Sequence, residues 1–287
     1  MKRAVDHLVL CVRDLVRARS FYERLGFTLT PRAQHPFGTA NHLAQLQGSF
    51  LELLAVADPT QIRPAAPGEF SFAAFNAEFL ARREGLSMLV FQTDDARQDQ
   101  RNFATRGLDT YAPFDFGRKA RLPDGSEAMV SFSLAFVTHA AMPDAAFFAC
   151  QQHAPQCFWK PAYQHHANGA RAVVEVVMAA DDPGGFADFF GRLVEPQTVT
   201  GDARGLHIAL DGAAISVLGR DALRAWCPDA PMPRSPAFVG YAVAVEDAAR
   251  VEAILRGADL PFRRRDVALQ VAPTDAFGVV IEFRAES

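Results

Sequence analysis

Two residues in the amino-terminal part of the chain stand where polar groups are costly. His7 lies in the apolar run Val5-Asp6-His7-Leu8-Val9-Leu10-Cys11-Val12, and Glu52 lies in Phe50-Leu51-Glu52-Leu53-Leu54. A neutral imidazole binds divalent metals and exchanges protons near neutral pH. A carboxylate inside an apolar strand is unfavourable unless paired, hydrogen-bonded or bound to a metal. The pair therefore points to a metal or acid–base site, with Glu52 as the catalytic carboxylate. The competing readings are a core histidine and a strand end facing water. Gln152, in strand phase with Cys150, and the nearby His42 and His153 are the candidates for a third ligand or for substrate contacts. Strand alternation puts Cys150 and His153 on opposite faces. That argues against a cysteine–histidine nucleophile pair and leaves Cys150 as a small packed apolar group.

Glu175 and Glu282 repeat the theme, in Val-Val-Glu-Val-Val and Val-Ile-Glu-Phe. Two carboxylates facing one cavity would push one pKa up and form a proton-transfer pair. The simpler reading, preferred here, bonds them to arginine or backbone. His153, His165 and His166 flank or lie in a polar, aromatic segment, but their spacing is irregular. Two adjacent histidines cannot face one point from a strand, so the segment reads as an ordered connector forming one wall of the first cavity. Arg263-Arg264-Arg265 reads as a solvated strand edge.

The elements that must position these residues form an internal repeat, which is the first thing to seek in any chain. The run around His7 is followed by Asp14 as a helix cap and by Phe21-Tyr22-Glu23-Arg24-Leu25-Gly26-Phe27. A shift of 168 residues places Asp14 on Asp182, Phe21 on Phe189, Leu25 on Leu193 and His7 on Glu175. Shifts of 81 and 233 place Asp14 on Asp95 and Asp247, and His7 on Met88 and Gly240. Hydrophobic periodicity and turn signals give each copy the order β-α-β-β-β. In the first copy the strands fall at Val5 to Val12, Thr28 to Arg32, His42 to Leu46 and Phe50 to Val56. Leu122-Pro123-Asp124-Gly125 is a turn signal leading into Glu127 to Thr138. Short helices are expected at Ser71 to Arg83 and after Arg220. The resulting organisation is a first domain over 1–154, with modules at about 1–57 and 86–153, then a connector over 155–170. A second domain covers 171–287, with modules at about 171–219 and 237–284.

Composition narrows the function. A chain of 287 residues suffices for one large or two ordinary domains. A net charge of −4 gives no electrostatic reason to expect nucleic acid or an anionic membrane. No apolar run is long enough to span a bilayer, and the basic N-terminus lacks a following apolar region. Four cysteines without paired spacing are too few for a disulfide framework, so a reduced, cytoplasmic protein is expected. The 24 Phe, against 4 Tyr and 2 Trp, suit a large apolar interior or a lined cavity.

With four such modules, a strand histidine at the start and a Leu-Glu-Leu strand closing module one, the chain resembles the vicinal oxygen chelate superfamily. Its nearest likeness is to the glyoxalase-like domain proteins. Further local matches are His35-Pro36-Phe37-Gly38-Thr39-Ala40-Asn41 and His166-Ala167-Asn168-Gly169-Ala170. The resemblance implies an α+β fold of four βαβββ modules paired into two half-open mixed-sheet barrels. It implies metal ligands at His7, Glu52, Met88 and a residue near Cys150, of which only His7 and Glu52 are good ligands. The matching second-domain positions are Glu175, Ser216, Gly240 and Glu282. None is a histidine, which disfavours ring-cleaving dioxygenase activity. The expected function is a metal-dependent lyase or isomerase acting on a small oxygenated metabolite in the first-domain cavity. The divalent metal would be Zn, Ni, Mn or Fe, and no nucleotide cofactor is expected. The alternative is a metal-free protein that binds or sequesters a small molecule. A homodimer is among the expected assemblies, with modules paired within one chain or across two. The second domain is expected to be catalytically silent and to cover or complete the first cavity.

Overall fold

The computed structural model describes residues 3–121 and 125–285. Leu122 to Asp124 of the expected turn lie outside the described residues. Module one comprises β1 (Val5–Cys11), α1 (Leu15–Arg24), β2 (Ala33–Gln34), β3 (Thr39–Gln45) and β4 (Phe50–Val56). A bridging helix, α2 (Phe72–Arg82), leads to β5 (Gly85–Gln92), α3 (Ala96–Thr105), β6 (Asp109–Thr110), β7 (Phe114–Arg121), β8 (Glu127–Thr138) and β9 (Ala146–Gln152). After the short α4 (Pro155–Phe158), module three has β10 (Ala170–Ala179), α5 (Ala187–Leu193), β11 (Val199–Asp202), β12 (Gly205–Ala209) and β13 (Ala214–Leu218). A second bridging helix, α6 (Arg220–Trp226), precedes β14 (Ala237–Val245), α7 (Ala248–Gly257), β15 (Arg263–Arg265), β16 (Ala268–Val271) and β17 (Val280–Ala285).

The repeated aspartates have a common physical role. Asp14, Asp95 and Asp247 have extended or non-helical backbone and accept backbone N–H groups of the first turns of α1, α3 and α7. Asp182 accepts the Gly185 N–H at the corresponding turn before α5. Each satisfies donors that a helix start leaves unpaired.

The modules pair within the chain. Modules one and two share a sheet ordered β2-β3-β4-β1-β5-β9-β8-β6, with β7 also on β8. Modules three and four share a sheet ordered β11-β12-β13-β10-β14-β17-β16-β15. Even the irregularities repeat. The β1–β5 register shifts between Val5 and His7 and between Val9 and Leu10. The β10–β14 register shifts between Val173 and Glu175 and between Val177 and Met178, the same places displaced by 168. The fold is thus α+β, two mixed sheets each built from two modules of βαβββ type, module two carrying one extra strand, and the first sheet a curled half-barrel.

Side chains alternate between two cores, as strand geometry requires. Leu8, Leu10 and Val12 join α1 and residues of the second sheet in one continuous core. Within it the buried Tyr22 and Tyr241 hydroxyls meet at 2.7 Å, tying α1 to β14. Val9 and Cys11 face the other way, into the concave side of the first sheet, where α2 packs through Phe72, Phe79 and Leu80. Residues 28–32, expected as a strand, carry no strand, and pairing starts at Ala33. Thr30 instead bonds across to Leu43 by its N–H and side chain.

Candidate active site

Parallel pairing identifies equivalent positions independently of the helices. Val9 pairs with Glu52, Val90 with Phe148, Val177 with Ser216 and Ala242 with Glu282. The first-sheet counterparts of a four-position site are therefore His7, Glu52, Met88 and Phe148. The residue expected near Cys150 is a phenylalanine.

His7 is buried and fixed on three sides. Its ring stacks on Phe50 at 4.3 Å and meets the Phe148 edge-on at 5.5 Å. Its Nδ1 lies 2.5 Å from Asp6 Oδ1. Neighbouring strand residues normally face opposite sides, but the bulge at Asp6 turns its carboxylate toward the ring, a common use of bulges beside sites. Asp6 Oδ2 accepts from Gln152 Nε2 at 2.9 Å. The other ring nitrogen, Nε2, faces Glu52, whose Oε2 is 3.7 Å away. The other oxygen, Oε1, accepts from Asn41 Nδ2 at 2.6 Å.

His7 and Glu52 line one cavity of about 40 Å³, room for a few waters, together with His35, Asn41, Arg118 and a wall of phenylalanines. A wider cleft of about 620 Å³ lies outside it and shares His35, Leu43, Arg118 and Phe158 with it. His35 bonds Thr39 Oγ1 through Nδ1 at 2.8 Å and stacks on Phe37. Burial, with Arg118 and His7 adding to it, lowers the His35 pKa from 6.5 to about 3, so this ring is neutral. Burial likewise holds the Cys150 thiol well above its ordinary pKa, reinforced by Asp6 and Glu52, and an un-ionised buried thiol is a poor nucleophile. Buried polar side-chain atoms with no partner are rare in folded proteins. Among the described residues they occur on Asn41, Arg118 and Gln152, all at this site, and on Arg83.

The residues present do not fit the resident divalent metal that the resemblance implies. The 3.7 Å between His7 Nε2 and Glu52 Oε2 suits two ligands of one ion with bonds near 2 Å. Such sites take at least three protein groups, and the remaining equivalent positions are Met88 and Phe148. His35 Nε2 is 3.9 Å from Glu52 Oε1, with the Asn41 amide nitrogen against both. The Arg118 guanidinium in the same cavity opposes a further cation. Among the described residues no three His, Cys, Asp or Glu side chains form a metal-holding group.

The other expected site residues lie apart from the cavity. His42 is on the opposite face of β3 from Asn41, bonded to the Thr30 carbonyl at 2.8 Å, and its pKa is lowered chiefly by burial. His153 bonds Ser133 at the sheet surface. Gln152 acts one step back, through Asp6. Asp6, His35, Asn41 and Arg118 were not among the expected site residues. His35 and Asn41 sat in the motif that carries the family likeness, and Arg118 follows Phe114 and Phe116 in strict alternation.

The histidine-rich connector is structural. His166 takes the Thr28 N–H on Nδ1 at 3.0 Å and contacts the Gln45 carbonyl through Nε2 at 2.8 Å. Phe158 of α4 supplies part of the cavity wall.

The second sheet has no corresponding opening at these positions. Trp226, on α6, lies so close over β14 that a Cβ on Gly240 would fall 2.7 Å from its ring. Its indole N–H donates to Glu282 Oε2 at 2.9 Å. Gln270 and Arg284 bond the same carboxylate, while Ser216 and Arg284 bond Glu175. Arg263 and Arg265, expected as a solvated edge, turn toward this cluster through the Trp226 carbonyl and Glu282.

Residues 5–194 match the family model described as Glyoxalase-like domain. The chain belongs to the glyoxalase-like domain family. This family lies in the vicinal oxygen chelate superfamily, whose fold the glyoxalase-like protein shares across nearly its whole length. It superposes on a hypothetical protein from Staphylococcus aureus with a TM-score of 0.70 and 11% identity, covering 98% of this chain and 99% of that one. BphC, a halotolerant catechol dioxygenase, gives 0.57 at 12% identity, covering 100% and 87%. A mutant 4-hydroxymandelate synthase from Streptomyces coelicolor gives 0.54 at 13%, covering 100% and 94%. Identities this low show the fold alone. No curated protein sequence matches the chain.

Proposed function

We propose that the first-sheet cavity of this glyoxalase-like protein is the active site of an enzyme that moves a proton on a small oxygenated metabolite, as isomerases and lyases do. One observation carries the reading. His7 is held by Asp6 with Nε2 facing Glu52 across a small, largely apolar cavity. An aspartate on Nδ1 fixes the tautomer and stabilises the ring once it takes up a proton. His7 Nε2 is then the base that removes a proton next to a carbonyl, and Asp6 holds the resulting imidazolium. Glu52 Oε2 is the second proton-transfer atom, with Asn41 fixing the rotation of its carboxylate. The phenylalanine wall lowers the local dielectric, which strengthens each of these interactions. No step is assigned to a metal, because the donor set supplies two good ligands.

A thermal-shift screen of small carbonyl compounds, followed by turnover assays on the hits, tests the proposal. General acid–base groups contribute about 10²–10⁴-fold, so His7→Gln and Glu52→Gln should each lose about that much turnover while still binding the hits. A binding protein without chemistry would show hits and no turnover in any form.

A further inference from the structure

We infer that Arg118 anchors a carboxylate of the substrate, making the substrate class small, singly charged oxygenated acids. The inference rests on the proton-transfer reading for what happens next, but not for binding. Arg118 is buried on β7, in phase with Phe114 and Phe116, and lines both the inner cavity and the cleft outside it. Its Nε has no partner, and Nη1 donates only to the Lys119 carbonyl at 3.3 Å. Among the described residues no carboxylate lies within ion-pair distance of it, although Glu52 acts on it through space. A desolvated guanidinium without a counter-ion is unfavourable. It becomes favourable when a planar anion takes the free N–H edge in paired hydrogen bonds, the geometry a carboxylate offers.

The surroundings select the charge and shape of that anion. Asp6 and Glu52 already place two carboxylates at the site, so a doubly charged phosphate would be repelled more than a carboxylate. In the outer cleft Lys119 is paired with Glu127 at 2.9 Å and adds little attraction for a second charge. Flat aromatic walls, including Phe37, Phe116 and Phe132, suit a planar acid body.

Calorimetric titration of the whole protein with pyruvate and benzoate, against their neutral counterparts pyruvamide and benzamide and against inorganic phosphate, tests this without knowing the natural substrate. Charge-assisted hydrogen bonds predict that at least one acid binds at least about tenfold more tightly than its amide, and more tightly than phosphate. Arg118→Met should abolish that preference, and Arg118→Lys should keep part of it. These titrations read binding alone, so loss of the acid preference counts against the anchor, whereas an intact preference with no turnover of any screened compound counts against the proton-transfer reading. Equal affinity for acid and amide in the wild-type protein, which requires no variant to fold, would overturn the inference. So would phosphate outcompeting both acids, absence of acid binding, or undiminished preference in folded Arg118→Met.

Discussion

Acidification should destabilise this protein through His35 in a way that can be isolated. The ring is buried among Phe37, Phe72 and Phe116, and burial, with Arg118 and His7 adding to it, holds its pKa at about 3 against 6.5. A histidine whose folded pKa is depressed stabilises the fold fully above its unfolded pKa. That contribution disappears as pH falls toward the folded value, because the unfolded chain binds the proton first. Over the window from 6.5 down toward about 3, the wild type should lose stability with a limiting slope of about one proton, on the order of a few kcal/mol in all. Other groups titrate in the same range, so the informative quantity is the difference between the wild-type protein and His35→Gln. Glutamine is polar enough to keep the Thr39 contact and cannot titrate. Urea unfolding of both proteins at steps from pH 7 to pH 3.5 should show the wild type losing ground to the variant with that slope. Parallel curves for the two proteins would refute the buried, neutral assignment of His35 and the electrostatic description of the cavity.

Four further outcomes follow from the same geometry. Asp6→Asn should lower turnover by about 10²–10⁴-fold with little change in substrate affinity, since the His7 tautomer, not the cavity, is altered; steady-state kinetics on a screened substrate reads this. Trp226→Ala should cost about 3–5 kcal/mol in denaturant unfolding, by leaving a void over Gly240 and removing a partner of Glu282. The double variant Glu175→Gln with Glu282→Gln should retain turnover at the first site, and loss of turnover in a folded double variant would make those glutamates the working pair. Elemental analysis of protein purified without a histidine tag should find no stoichiometric transition metal. A stoichiometric metal that disappears in His7→Ala would reverse the donor-set argument.

The fold was legible because each module carries its own local signals. An aspartate cap and an apolar strand recur in every module, a glycine closes the helix in the first two, and the structure repeats even the bulges. His7 and Glu52 were legible because polar groups in apolar strands stand out. The rest of the site depends on features that do not leave such a mark. Asp6 reaches His7 only because a bulge breaks strict alternation. His42 looked available, but alternation along β3 turns it to the far face and brings Asn41 in. Arg118 was hidden in Phe-Asp-Phe-Gly-Arg-Lys-Ala-Arg, where charge and glycine obscure a strand whose alternation is nonetheless regular. The occlusion of the second sheet needed Trp226 and Gly240 to be seen as one contact, between residues distant from each other in the chain.

The central claim is that His7 removes a substrate proton without help from a metal. It is tested most directly by following deuterium uptake from heavy water into a small carbonyl acid by NMR, using chelator-treated protein. Wild-type protein should catalyse exchange at the carbon next to the carbonyl, and His7→Gln should not. Exchange that vanishes on chelation, or that proceeds undiminished in His7→Gln, would contradict it.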